Sequence, residues 1–201
     1  MNTYAKAGTL KAETFAGALL APLDGAKRVA LVVGFSLLTA LAAQVVIPLQ
    51  PVPITGQTFA VLLAGALLGP RLGALAMFAY LFEGAAGLPF FRGGGAGVGH
   101  MTGATGGYLF AYPVAAYVVG LLAERGWDRR FLTAAAAMLV GSLLILAGGW
   151  LWLSRFVGPE QAFQLGVARF VVGDIIKIAL AAAALPAGWA LVGRGKSPRG
   201  R

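Results

Sequence analysis

The sequence predicts an all-α integral membrane protein with six transmembrane helices. Of its 201 residues, 59% are hydrophobic and 11% charged, and the mean hydropathy is +0.81. That is more apolar surface than a soluble domain of this length can use. The apolar residues fall into successive runs separated by short breaks rich in proline, glycine or charge. The basic residues gather in alternate breaks, as cytoplasmic loops do.

Residues 1–26 hold no apolar run long enough to span and no small-residue cleavage site after a short apolar core. They read as a cytoplasmic or interfacial arm and not as a signal peptide. The first span covers 27–47, entered through Lys27 and Arg28 and ended near Pro48. PLQPVPITGQ (48–57) cannot be regular helix, because its prolines fix φ and remove donors. The second span, 58–68, is too short to cross without tilt or help from its flanks. GPR at 69–71 turns the chain into the third span, 72–86. An irregular stretch, LPFFRGGGAGVGHMTGATGG (88–107), precedes the fourth, 108–122. The charged turn ERGWDRR (124–130) leads to the fifth, 131–153, and RFVGPEQ (155–161) leads to the sixth, 168–192. Residues 193–201 form a basic tail.

Six spans put both termini on one side, and the charges choose which. The termini and the turns at 69–71 and 124–130 carry twelve basic residues: Lys6, Lys11, Lys27, Arg28, Arg71, Arg125, Arg129, Arg130, Arg194, Lys196, Arg199 and Arg201. The opposite loops carry two, Arg92 and Arg155. The termini are therefore expected in the cytoplasm of a bacterial or archaeal cell, with 48–57, 88–107 and 154–161 facing outward. The net charge of +9 is thus a topology signal and not the footprint of a nucleic-acid partner. Zero cysteines exclude disulfides, thiolate metal sites and cysteine nucleophiles, and the lone His100 offers no histidine cluster.

Asp174 and Lys177 are the least expected residues of the sixth span. Three residues apart on a helix, they share one face, and each alone would cost roughly 2.5–3.5 kcal/mol at the centre of a spanning helix. Two readings follow: a mutually neutralised pair that helps helices pack, or a polar anchor that faces a cavity and grips a ligand or relays protons. Thr55, Gln57, Arg92 and Arg169 concentrate polar groups at the outer end, where irregular backbone is tolerated beside protein or a polar cavity. GGGAGVG (93–99) lacks the strand and helix that a dinucleotide cradle requires, so it reads as a turning gate. The serines lie far from His100, and no pair of intramembrane acids suits metal-assisted hydrolysis; Glu83 is the one other acid inside a span. An enzyme is not expected. Ala26, Ala30 and Gly34 repeat at four-residue spacing on the first span, a row that lets another helix approach closely.

PVPITGQTFAVLLAGALLGPRLGALAMFAYL (51–81), GAAGLPFFRGG (84–94), TGATGGYLFAYP (102–113) and GDIIK (173–177) together closely resemble the BioY family, the biotin-specific S components of energy-coupling factor (ECF) transporters. The resemblance runs from about residue 27 to 192 and leaves the N-terminal arm outside. One departure is Ala104, where the family often has proline (GPTGGYL).

The resemblance implies a six-helix S-component bundle in the cell membrane that captures biotin from the extracytoplasmic side with high affinity. It implies partnership with a transmembrane coupling subunit and two ABC-type ATPases; no cofactor of the chain's own is expected, since ATP is used by the partners. Within that frame, ionised Asp174 would accept from the two urea N–H groups of biotin, and Lys177 would donate to the urea carbonyl. Tyr80, Phe90, Phe91 and Tyr108 would pack on the ring system, while Arg92, Gln57 and Thr55 would hold the carboxylate. Small residues on the family's first helix meet the coupling subunit, which gives Ala26, Ala30 and Gly34 a docking role. The competing expectation is a proton-coupled secondary carrier of a small carboxylated vitamin, with Asp174 exchanging the proton. A carrier of that kind predicts inverted repeats, and the two halves of the chain show no clear internal similarity.

Overall fold

The computed structural model describes residues 14–195. Of the expectations above, the first half of the N-terminal arm and residues 196–201 lie outside this range, together with Lys6, Lys11, Lys196, Arg199 and Arg201. The chain enters through a short helix, α1 (Phe15–Leu20), capped by the Thr14 hydroxyl, which accepts from the Gly17 N–H at 3.2 Å. Asp24 then accepts from the Lys27 N–H at 2.8 Å and starts α2 (Gly25–Ala42). This first long helix begins two residues before the expected span and ends five residues earlier. Its expected last turn is instead the strand β1 (Val46–Ile47), paired antiparallel with β2 (Ile54–Thr55) in the register Val46↔Thr55 and Ile47↔Ile54. The prolines between the strands sit in the closed loop of this ribbon, where no ladder hydrogen bond is asked of them.

α3 (Gln57–Leu68) and α4 (Pro70–Ala85) follow. At 1.5 Å per residue α3 is only about 18 Å long and α4 about 24 Å, against a hydrocarbon core of roughly 30 Å. Eight of the twelve α3 residues are buried, so this apolar segment is a core helix wrapped by protein. Its composition signalled membrane, and its length signalled burial among other helices. Four segments are long and apolar enough to cross among the described residues: α2, α6 (Gly106–Ala123), α7 (Phe131–Val157), and the run Pro159–Val192. That last run covers α8 (Pro159–Gly166, numbered after the five-residue α5, Val98–Thr102), a 3-10 turn (Ala168–Phe170) and most of α9 (Val171–Gly195).

The stretch 88–107 is less irregular than its glycines suggest, since it holds a 3-10 turn (Arg92–Gly94) as well as α5. The expected loop at 154–161 is a correction. α7 continues through Val157 and α8 starts at Pro159, joined by the single residue Gly158 at φ 81°. Glycine alone takes that left-handed backbone cheaply, and proline is at home in a first helical turn.

The core sits around α6, which buries residues on both sides against α3, α4 and α7. Close approach makes this possible: a Cβ on Gly120 would collide with the backbone of Gly69 and Pro70. α2 is the least covered long helix, burying only Ser36, Thr39 and Ala40. Where α9 ends, Trp189 donates to buried Asp128, carries Arg129 over its ring at 4.4 Å, and meets Phe15 of α1 edge-on at 5.4 Å. The basic turns at 71 and 124–130 share this end with α1. The hairpin β1–β2, the 92–105 segment and the start of α9 form the other.

Candidate ligand-binding cavity

A cavity opens at the hairpin end, with about 450 Å³ of empty volume. Its wall brings together Thr55 from β2, Gln57 and Thr58 from the start of α3, Phe91, Arg92 and His100 from the 88–105 segment, Tyr108 and Tyr112 from α6, and Phe170 and Lys177 from the α9 side. Six residues expected at a site therefore share one wall: Thr55, Gln57, Phe91, Arg92, Tyr108 and Lys177.

The floor is a charged network. Lys177 Nζ donates to Thr58 Oγ1 at 2.7 Å, to the Thr55 carbonyl at 3.0 Å and to Asp174 Oδ1 at 3.5 Å. The three N–H groups of the ammonium are thereby matched to three acceptors. Asp174, 7% exposed, takes a second hydrogen bond from the Ser142 hydroxyl on α7. It stands behind Lys177 and not on the cavity wall. A buried ion pair of this kind survives only when further hydrogen bonds satisfy its remaining atoms, and Thr58, Ser142 and the Thr55 carbonyl supply them.

Gln57 lies at the centre of a second network. Its side chain accepts from Thr55 Oγ1 at 2.8 Å and from the Tyr112 hydroxyl at 3.4 Å, and donates to the Tyr80 hydroxyl. Tyr80 in turn donates to the Phe90 carbonyl at 3.2 Å. Tyr80 is fully buried, and neither it nor Phe90 lines the cavity. Both differ from the expected ring-stacking role, because the Tyr80 hydroxyl ties α3 to the backbone of the 88–91 turn. Of the four aromatics expected at the site, Phe91 and Tyr108 are on the wall. Phe91 meets Tyr80 edge-on at 5.6 Å, and Tyr108 stacks on Phe170 at 5.8 Å while its hydroxyl donates to the Gly166 carbonyl at 2.6 Å.

At the mouth, the Arg92 Nε–H is buried and finds no acceptor among the described residues. A buried donor left unmatched is costly, so this one invites an anion in the cavity. Beside it His100 stacks on Phe91 at 5.1 Å. Burial and the nearby Arg92 charge hold the imidazole below its ordinary pKa, which favours the neutral ring. Arg169 lies elsewhere, donating to the Gln50 carbonyl at 3.3 Å.

Sequence reasoning missed Thr58, Ser142, Tyr112, His100 and Gln44. Ser142, the hydroxyl in the apolar middle of α7, carried a signal, since polar groups inside spans find partners. Gln44 carried none. Its amide donates to the Phe91 carbonyl at 3.2 Å and accepts from the Gly94 N–H at 3.1 Å, holding the Arg92 turn from 47 and 50 residues away. Ala26, Ala30 and Gly34 lie far from this cavity, exposed along α2. No group of three or more metal-ligating side chains occurs among the described residues.

The BioY family's sequence profile matches residues 10–194. The probable biotin transporter BioY of Pyrococcus horikoshii is 47% identical over 156 residues, covering 78% of this chain and 92% of that protein. The biotin transporter BioY of Thermotoga maritima is 39% identical over 149 residues, covering 74% and 87%. A solved structure, described as the S-component for biotin from an ECF-type ABC transporter, superposes with a TM-score of 0.71 at 24% identity, covering 86% of this chain and 93% of that one; this likeness establishes the fold. With its profile spanning nearly the whole length and a cavity built by the same motifs, the chain belongs to the BioY family.

Proposed function

We propose that this protein is the substrate-binding subunit of an ECF-type biotin transporter, taking up biotin from the extracytoplasmic side. It is a transport protein and not an enzyme. The observation that carries the reading is a single cavity lined by two cationic side chains, Lys177 in its hydrogen-bonded network and Arg92 with its unmatched Nε–H. Biotin has the complementary layout, with a urea carbonyl at one end and a carboxylate at the other. The urea carbonyl accepts from Lys177 in place of its long 3.5 Å contact with Asp174. Asp174 acts behind the wall, keeping the ammonium charged and aimed. Phe91 and Tyr108 flank the bicyclic ring, Arg92 takes the carboxylate, and Thr55 and Gln57 complete the polar side. In this reading the shorter α3 and α4 complete a six-helix bundle, with both termini cytoplasmic in a bacterial or archaeal membrane. A coupling subunit and two ATPases supply the energy, and no resident cofactor is needed.

The carboxylate assignment is testable by titration. Hydrogen bonds to a charged partner contribute roughly 1.5–3 kcal/mol, so biotin methyl ester should bind about tenfold or more weakly than biotin. Arg92→Gln should narrow that gap. A protein that binds neither compound overturns the reading, and an unchanged gap in the variant moves the carboxylate to another group.

A further inference from the structure

A second hollow, open to the surface, lies on the outside of the bundle between α2 and α4. Both helices run the same way from the basic end, and the groove begins between Arg28 and Arg71. Its walls then rise through Val29 and Val32 on one side and through Leu75, Phe78 and Phe82 on the other. Leu75, Phe78 and Phe82 are all more than half exposed. Above this stretch Ser36 donates to Glu83, joining the two helices across the groove's outer end.

We infer that this groove is a binding site for one anionic phospholipid of the cytoplasmic leaflet, its phosphate between Arg28 and Arg71 and an acyl chain along the apolar walls. Depth and charge favour a lipid. Eleven residues separate Arg71 from Phe82, which at 1.5 Å rise gives about 16 Å, close to half of a hydrocarbon core of roughly 30 Å. The groove is thus one leaflet deep. The basic residues of its lining, Arg28 and Arg71, are both at its foot, while the acid at the outer end, Glu83, is engaged by Ser36, and guanidinium forks match phosphate oxygens. Arg28 uses its Nε–H on the Leu23 carbonyl at 3.1 Å, which fixes the side chain and leaves its terminal nitrogens for a headgroup. The choice of leaflet rests on the orientation proposed above; the binding does not.

The test is native mass spectrometry of the detergent-purified protein with phosphatidylglycerol or phosphatidylcholine of identical chains. The parent should retain a single phosphatidylglycerol, with a preference of roughly tenfold given two basic residues at an anionic headgroup. Arg28→Gln with Arg71→Gln should abolish the preference, and Leu75→Trp, which fills the groove from an exposed position, should abolish retention. Arg125→Gln, at the same end but off the groove, should change neither. Biotin titration of each variant keeps a failure of folding or of the transport reading separate from a failure of this inference. Equal retention of both lipids by the parent overturns it, as does a loss on Arg125→Gln matching that of the double variant. So does a Leu75→Trp protein that keeps the lipid, or a groove that holds no lipid while Leu75→Trp blocks binding of a coupling subunit.

Discussion

At the scale of single residues the decisive fact is that the ion pair is shared with neighbours that the sequence does not place beside it. Asp174 and Lys177 announce themselves by charge in an apolar run, yet the network needs Thr58 from α3 and Ser142 from α7 to close. Asp174→Asn keeps the shape but leaves Lys177 beside a neutral amide in a buried site. Losing one member of a buried hydrogen-bonded pair typically costs 2–5 kcal/mol, so biotin affinity should fall at least about thirtyfold; a folded Asn variant within threefold of the parent removes the residue from the binding account. Asp128 offers a different test. Burial raises its carboxyl above the ordinary 3.8, outweighing the hydrogen bond from Trp189 and the Arg129 charge. A raised folded value means that the fold binds the proton more tightly than the unfolded chain. That contribution is full below the unfolded pKa and is lost as pH rises through the folded one. Lowering the pH from 7 towards the ordinary carboxyl value of 3.8 should therefore raise the Tm of the parent relative to Asp128→Asn; parallel profiles would show that Asp128 does not titrate differently in the fold.

Elements were legible where one physical signal dominated and obscured where two competed. α6, α7 and α9 follow from long apolar runs bounded by charge or glycine, and their observed ends lie within a few residues of those expected. α3 combined a membrane composition with a core-helix length, and length decides its place inside the bundle. The loop after α7 looked polar enough to be irregular, but Gly158 and Pro159 make a helix-to-helix corner in one residue. Of the cavity wall, Thr55, Gln57, Phe91, Arg92, Tyr108 and Lys177 were legible, carried by the motifs around them. Gln44 was not, because its partners lie about fifty residues along the chain and nothing local requires an amide there. α2 carries the element-scale prediction. Ala26, Ala30 and Gly34 are exposed, and a Cβ on Gly34 would meet nothing within 4 Å. Ala30→Leu should weaken co-purification with a coupling subunit and slow ATP-driven uptake, because bulk would be added where helices approach closely. Biotin binding by the isolated protein should stay intact. Unchanged co-purification would place docking on another face.

For the whole molecule, the two ends divide the work. The hairpin end holds the polar cavity, and the basic end holds α1, Asp128 and the guanidinium-rich turns. Between them α6 and the buried α3 form a packed core, so the cavity is built on rigid elements while its mouth hangs on the glycine-rich 92–105 segment. None of the four tryptophans lines the cavity, so heat is a more direct readout of occupancy than fluorescence. The most direct measurement is a calorimetric titration of the detergent-purified chain with biotin, with no coupling subunit or ATPase present. The account predicts saturable binding of one biotin per chain, weakened when Lys177 or Arg92 is replaced by a neutral residue of similar size. Absence of saturable heat from a folded protein, or binding that ignores both substitutions, would contradict it.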